Sequence, residues 1–151
     1  MRCENSNFRN KCNLFVAKSI RFISKMSQNS QIGIIGEKAA YDFIVKHGFK
    51  ILVTNYRKPY GEIDIVAEKD RVIRFIEVKT SRYYPDSAFA PEIRVNARKI
   101  RNLKKLCETY LKEKCASLDQ PWQIDVISVI LDGSAVRGIN FFENAVFERK
   151  Y

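Results

Sequence analysis

Asp64, Glu77 and Lys79 stand inside two otherwise apolar, β-branched runs, Gly61-Glu62-Ile63-Asp64-Ile65-Val66-Ala67 and Phe75-Ile76-Glu77-Val78-Lys79. Charges rarely occupy such runs without a partner or a task, because burying them unpaired is expensive. An ordinary central hairpin accommodates one such charge as an Asp–Lys or Glu–Lys ion pair. Three charges converging on one face point to a site. Hydrolysis of a phosphodiester needs an activated water, charge neutralisation at phosphorus and a stabilised leaving oxygen, and Mg²⁺ (or Mn²⁺) on one or two carboxylates supplies most of this. In that chemistry Asp64 and Glu77 are the metal ligands. Lys79 orients the attacking water or stabilises the developing anion.

The elements that must position these groups follow from the same residues. Both runs have strand composition and are joined by the short polar segment Glu68-Lys69-Asp70-Arg71, so they read as a β-hairpin. A two-residue loop at Lys69-Asp70 pairs Glu68 with Arg71, Ala67 with Val72 and Asp64 with Phe75. Side chains alternate along a strand, so Glu77 and Lys79 then share the face of Asp64. Diagonal neighbours across a strand pair lie about 7–8 Å apart, close enough for two carboxylates to share a divalent cation. A three-residue loop without a bulge would move Asp64 to the other face. Ile63, Ile65, Ala67, Val72, Ile76 and Val78 form a dry opposite face, while Val66, Ile73 and Phe75 accompany Asp64. Such a hairpin belongs mid-sheet, covered on both sides.

Ile32 to His47 reads as a helix with Ile32, Ile35, Ala39, Phe43 and Ile44 inward and Gly48 as its stop. Glu37 edges onto the buried side through Ala40 and Ile44, and packed beside the hairpin it completes the metal shell directly or through water. Gly33 and Gly36 are not followed by Gly-Lys-Ser/Thr, which excludes a phosphate loop. Phe49 to Asn55 reads as a strand, Tyr56 to Gly61 as a turn, and Ser81 to Val95 as a loop whose Tyr83 and Tyr84 beside Arg82 could stack on bases or serve as loop anchors. Asn96 to Lys114 is a second helix, capped by Asn96, with Ile100, Leu103, Cys107, Tyr110 and Leu111 as its core stripe. Trp122 to Leu131 and Ile139 to Phe147 are the remaining strands, giving the order α-β-β-β-α-β-β.

Arg94, Arg98, Lys99, Arg101, Lys104 and Lys105 fall within twelve positions that hold no acid. Like charges at helical spacing repel, so a single-sign face is a surface for phosphates. Arg57 and Arg82 extend the candidate nucleic-acid-binding set. Contacts of this kind read backbone and shape and carry no base-specific information.

The chain of 151 residues is long enough for one domain with a real core, and its net charge of +10 suggests a polyanionic partner. Half of that charge lies in residues 1–25, which hold six basic residues against one acid. Residues 1–30 read as a basic extension outside a 31–151 domain: a disordered arm, a targeting peptide, or, as favoured, sequence upstream of a true start at Met26. A membrane- or partner-binding role led by residues 1–25 is the third functional reading, although no apolar run is long enough to span a bilayer. Cys3, Cys12, Cys107 and Cys115 lack zinc-ligand spacing and read as free thiols in a reducing, cytoplasmic compartment. The single histidine, His47, sits at a helix end and is not a catalytic candidate.

Gly36-Glu37, Asn55-Tyr56-Arg57, Gly61 to Ala67, Phe75 to Thr80, Arg98-Lys99, Asp125-Val126 and Asn144-Ala145 together resemble the YraN-like uncharacterised protein family of bacteria, over about residues 31–147. That family looks like the PD-(D/E)XK nuclease superfamily and is similar to archaeal Holliday-junction resolvases. The resemblance implies an α/β, restriction-endonuclease-like three-layer fold, a mixed central sheet flanked by helices. It implies Glu37, Asp64, Glu77 and Lys79 as active-site residues of a metal-dependent endonuclease acting on structured or branched DNA, and by analogy a homodimer. A non-catalytic nucleic-acid-binding protein on the same scaffold is the alternative. Ser81 stands where the family usually has Arg, Ile100 where it has Gln, and Val146 where it has Phe.

Overall fold

A computed structural model describes residues 27–85, 97–114 and 119–145. The elements are α1 (Gln28–Lys46), β1 (Lys50–Lys58), β2 (Gly61–Lys69), β3 (Val72–Arg82), α2 (Ala97–Glu113), β4 (Trp122–Asp132) and β5 (Ala135–Phe142). The expected order holds. The five strands lie in one sheet in sequence order, antiparallel except for the parallel β3–β4 pair that α2 connects. One helix packs on each face, which makes the three-layer α/β architecture with a mixed sheet.

Two cores follow from alternation along β2 and β3. Val66, Ile73 and Phe75 meet Leu103, Leu106, Cys107 and Tyr110 of α2. Ile65, Ala67 and Ile76 meet Ala40 and Ile44 of α1. Both middle strands are therefore covered on both sides, as their double-faced apolarity requires.

Several element boundaries differ from expectation. The β2–β3 loop is Asp70-Arg71, because Lys69 pairs with Val72. Both loop residues have positive φ, 52° and 64°, the geometry of a primed hairpin turn that follows the strand twist. Continued from that register, Asp64 lies level with Glu77 and not Phe75, a shift by an even count. Tyr56, Arg57 and Lys58 belong to β1, which ends in a tight turn at Pro59-Tyr60. β5 begins at Ala135 and stops at Phe142, followed by a turn in which Ala145 donates its N–H to the Ile124 carbonyl. α1 begins four residues earlier than expected, capped by the Ser27 hydroxyl on the Ser30 N–H. His47 does close α1, its ring 4.0 Å from that of Phe43. Arg94, the proposed Asn96 cap, Cys3, Cys12, Cys115 and the reading of residues 1–25 lie outside the described residues. No helix among the described residues is long and apolar enough to cross a membrane.

Candidate active site

Asp64 sits where the regular ladder between β2 and β3 ends. The last registered pair is Ile65–Ile76, and one step further the strands open. The Asp64 carboxylate fills the opening, its Oδ2 accepting the Val78 backbone N–H at 2.6 Å. Alternation breaks at the same place: Ile63 joins the α2-side core while Ile65 joins the α1-side core. Across β1, Asn55 lies level with Asp64 at φ 53°, a left-handed conformation that Asn tolerates better than most residues. This local twist opens Asp64 to both layers. It lines one cleft with Glu77, Lys99 and Asn102 on the α2 side and another with Glu37, Lys38 and Tyr41 on the α1 side.

Glu77 is buried on the α2 side. Its Oε1 accepts from two ammonium groups, Lys79 Nζ at 2.6 Å and Lys99 Nζ at 2.5 Å. Burial alone would raise the Glu77 pKa, but the two lysines hold it below the usual glutamate range. Asp64 is pushed the other way, up to about 6, first by burial, then by the neighbouring charges of Glu77, Glu37 and Glu62, against the opposing Val78 hydrogen bond. Two carboxylates one ladder step apart thus have opposite environments: one carries paired counter-ions, the other is crowded by anions.

α1 reaches the site through Gly36. A Cβ there would lie 1.8 Å from Thr80 Oγ1, so only glycine permits helix and strand to approach this closely. That approach places the next residue, Glu37, beside Asp64 in the shared cleft. α2 is fixed at its far end by Glu113, which accepts from Tyr56 Oη at 2.8 Å and pairs with Lys58, and by Tyr60, whose hydroxyl meets Thr109 Oγ1 at 2.8 Å.

Asp64, Glu77 and Lys79 converge, and Glu37 stands close by. The basic surface divides. Lys99, expected on an outward phosphate-binding face, turns into the cleft. The spacing Lys99, Leu103, Leu106, Tyr110 follows the buried stripe of α2, and that periodicity could have revealed its direction. Arg98 and Arg101 are exposed, and Lys105 lies 4.4 Å above the Tyr60 ring. Arg57 pairs with Glu62 at 2.9 Å. Arg82 lines a separate cleft of about 460 Å³ with Glu37, Thr80 and Tyr84.

The family model described as uncharacterised protein family UPF0102 matches residues 36–129, which include all four candidate active-site residues and the parallel β3–α2–β4 unit. A UPF0102 protein of Caldicellulosiruptor bescii is 37% identical over 116 residues, 76% of this chain and 96% of the relative. One from Syntrophomonas wolfei is 40% identical over 118 residues, 78% of this chain and 98% of the relative. One from Thermotoga neapolitana is 37% identical over 107 residues, 71% and 90% of the two chains.

Proposed function

The chain belongs to the UPF0102 family, and from the site it carries we propose that it is a divalent-metal-dependent endonuclease hydrolysing phosphodiester bonds in structured or branched DNA. The observation that carries this reading is the pairing of an anion-crowded Asp64 with a lysine-bound Glu77 at the opened end of a strand pair, beneath a basic helix. The resemblance to archaeal Holliday-junction resolvases supports branched DNA as the substrate class.

The donor set suits Mg²⁺ or Mn²⁺. Among the described residues no three His, Cys, Asp or Glu side chains form a metal cage, but Mg²⁺ commonly rests on one or two carboxylates and completes its shell with water and substrate phosphate. Asp64, disfavoured as an anion by Glu37, Glu62 and Glu77, gains most from a cation. Bound there, the ion would supply Lewis-acid polarisation and a more acidic water. Asp64 would hold the ion, with the Val78 N–H keeping its carboxylate oriented. Lys79 lies beside the reacting phosphate and stabilises negative charge developing on its oxygens. Glu37 accepts a proton from water on the α1 side. Arg98, Arg101 and Lys104 hold flanking phosphates and fix the register of the strand. The free thiol of buried Cys107 suits a reducing, cytoplasmic setting.

The test is incubation of labelled linear and branched DNA with Mg²⁺ or Mn²⁺. Cleavage by the native chain that disappears in Asp64→Ala supports the reading, and equal cleavage by the variant refutes it. The saturation of Glu77 Oε1 by two ammonium groups favours one second reading, a non-catalytic nucleic-acid-binding protein. That reading predicts salt-sensitive, metal-independent binding that survives Asp64→Ala and weakens in Lys104→Glu.

A further inference from the structure

Lys99 belongs to a helix whose Arg98, Arg101, Lys105 and Lys112 are exposed, yet its ammonium sits on the same Glu77 oxygen as that of Lys79. It shares a cleft of about 240 Å³ with Asp64, Glu77 and Asn102, and Asp64 lies within its electrostatic reach. A carboxylate oxygen offers about two lone-pair directions, and both on this oxygen are directed at ammonium groups. A divalent ion approaching Glu77 through Oε1 must therefore displace one of them. Lys79, with its side chain 42% exposed, lies two residues from Glu77 on the same strand, so its backbone anchor stays beside this carboxylate. Lys99 reaches in from another layer on a flexible four-carbon stem, with its side chain 44% exposed.

We propose that Lys99 is a catalytic residue that holds Glu77 until a divalent cation enters the cleft, then exchanges this carboxylate for the substrate phosphate beside that cation. The inference rests on the metal-dependent reading above and deepens it. The exchange limits the change in charge of the cleft: Lys79 and Lys99 offset Asp64 and Glu77 before loading, and Lys99 meets the incoming phosphate afterwards. It also makes a definite thermodynamic demand. A residue that competes with the metal must weaken metal binding, whereas a residue that only helps to shape the ligands must strengthen it.

Mn²⁺ affinity, followed by electron paramagnetic resonance on the full chain, separates these cases. Lys99→Met is compared with Lys112→Met, which removes the same charge from an exposed position about 20 Å further along the helix. Lys99→Met is expected to bind Mn²⁺ about tenfold more tightly than the native chain, while Lys112→Met changes affinity less than about twofold. At saturating Mn²⁺, single-turnover cleavage by Lys99→Met is expected to fall about a hundredfold, with partial recovery in Lys99→Arg. Unchanged or weaker Mn²⁺ binding by Lys99→Met overturns the exchange, as does native-rate cleavage at saturation. A distinct pattern removes the underlying metal site as well: Mn²⁺ affinity unaffected by Asp64→Ala, or no Mn²⁺ binding by any chain. A folded Lys99→Met, shown by a native circular dichroism spectrum and melting transition, is the condition for each comparison.

Discussion

Asp64 accepts the Val78 backbone N–H at 2.6 Å, so a side chain completes the strand pair where its ladder has run out. The carboxylate is needed structurally as an acceptor and is disfavoured as a charge. Its folded pKa of about 6 lies above the ordinary 3.8, because burial and three neighbouring carboxylates oppose ionisation. The native state therefore holds this proton more tightly than the unfolded chain, and this residue's contribution falls as pH rises through the interval from 3.8 to about 6. Asp64→Asn keeps the acceptor and removes the charge. We expect it to melt higher than the native chain at pH 7, by roughly 3–6 °C, with the gain vanishing near pH 4. Thermal melts at both pH values check this, and a variant equally or less stable at pH 7 contradicts it.

Gly36 and Thr80 set the distance between α1 and β3. Gly36→Ala places a methyl carbon 1.8 Å from Thr80 Oγ1, which the threonine can relieve only by leaving its position. We expect a loss of about 1–3 kcal/mol in urea unfolding, recovered in large part by adding Thr80→Ala, since the two side chains share one space. Additive losses in the double variant would show that the helix is held off by something else.

Arg101 is exposed on the basic helix, away from the ion pairs at Glu77. If it holds a backbone phosphate, Arg101→Ala lowers DNA affinity to a similar extent on every sequence and reduces the slope of log affinity against log salt by about 0.9. Titrations by fluorescence anisotropy across a salt series measure both quantities. An unchanged slope would remove Arg101 from the interface.

The alternation that places Asp64, Glu77 and Lys79 together was readable because it is insensitive to where the turn falls. Moving the two-residue loop from Lys69-Asp70 to Asp70-Arg71 shifts the pairing by an even count, so the turn alone moves no side chain to the other face, and only Ile63, beyond the break at Asp64, lies opposite to expectation. The break at Asp64 was not readable, since it depends on Asn55 in the neighbouring strand adopting a left-handed conformation. The start of β5 was hidden for another reason: Ala135, Val136 and Arg137 are all exposed on an edge strand, so no alternating pattern marks them. Tyr56 to Lys58 escaped likewise, being a polar continuation of the other edge. The direction of Lys99 was masked by composition. A run of cations suggests an outward face, and only its register with Leu103 and Leu106 places it over the core stripe.

Arg74 and Asp125 form a buried ion pair on the face of the β3–β4 pair opposite to Glu77. Asp125 has no exposed surface, and its two oxygens accept from Arg74 Nε at 2.8 Å, Gln123 Nε2 at 2.7 Å and the Asn144 N–H at 2.7 Å. Arg74 in turn pairs with Glu143 and lies over the Phe49 ring. Two arms of this network, through Glu143 and the Asn144 N–H, join the turn after β5 to the centre of the sheet, and none of these contacts reaches the cleft of Asp64. Removing Arg74 leaves Asp125 as a buried charge without its counter-ion, which costs about 3–5 kcal/mol, whereas removing Asp125 leaves Arg74 with Glu143. Arg74→Met is therefore expected to lower stability by that amount in denaturant unfolding, and Asp125→Ala by less, because Arg74 keeps Glu143. Mn²⁺ affinity of the folded fraction should stay within about twofold of native, because the pair lies on the other face of the sheet from Glu77 and shares no partner with it. A large loss of Mn²⁺ affinity without loss of stability would show instead that this network belongs to the site.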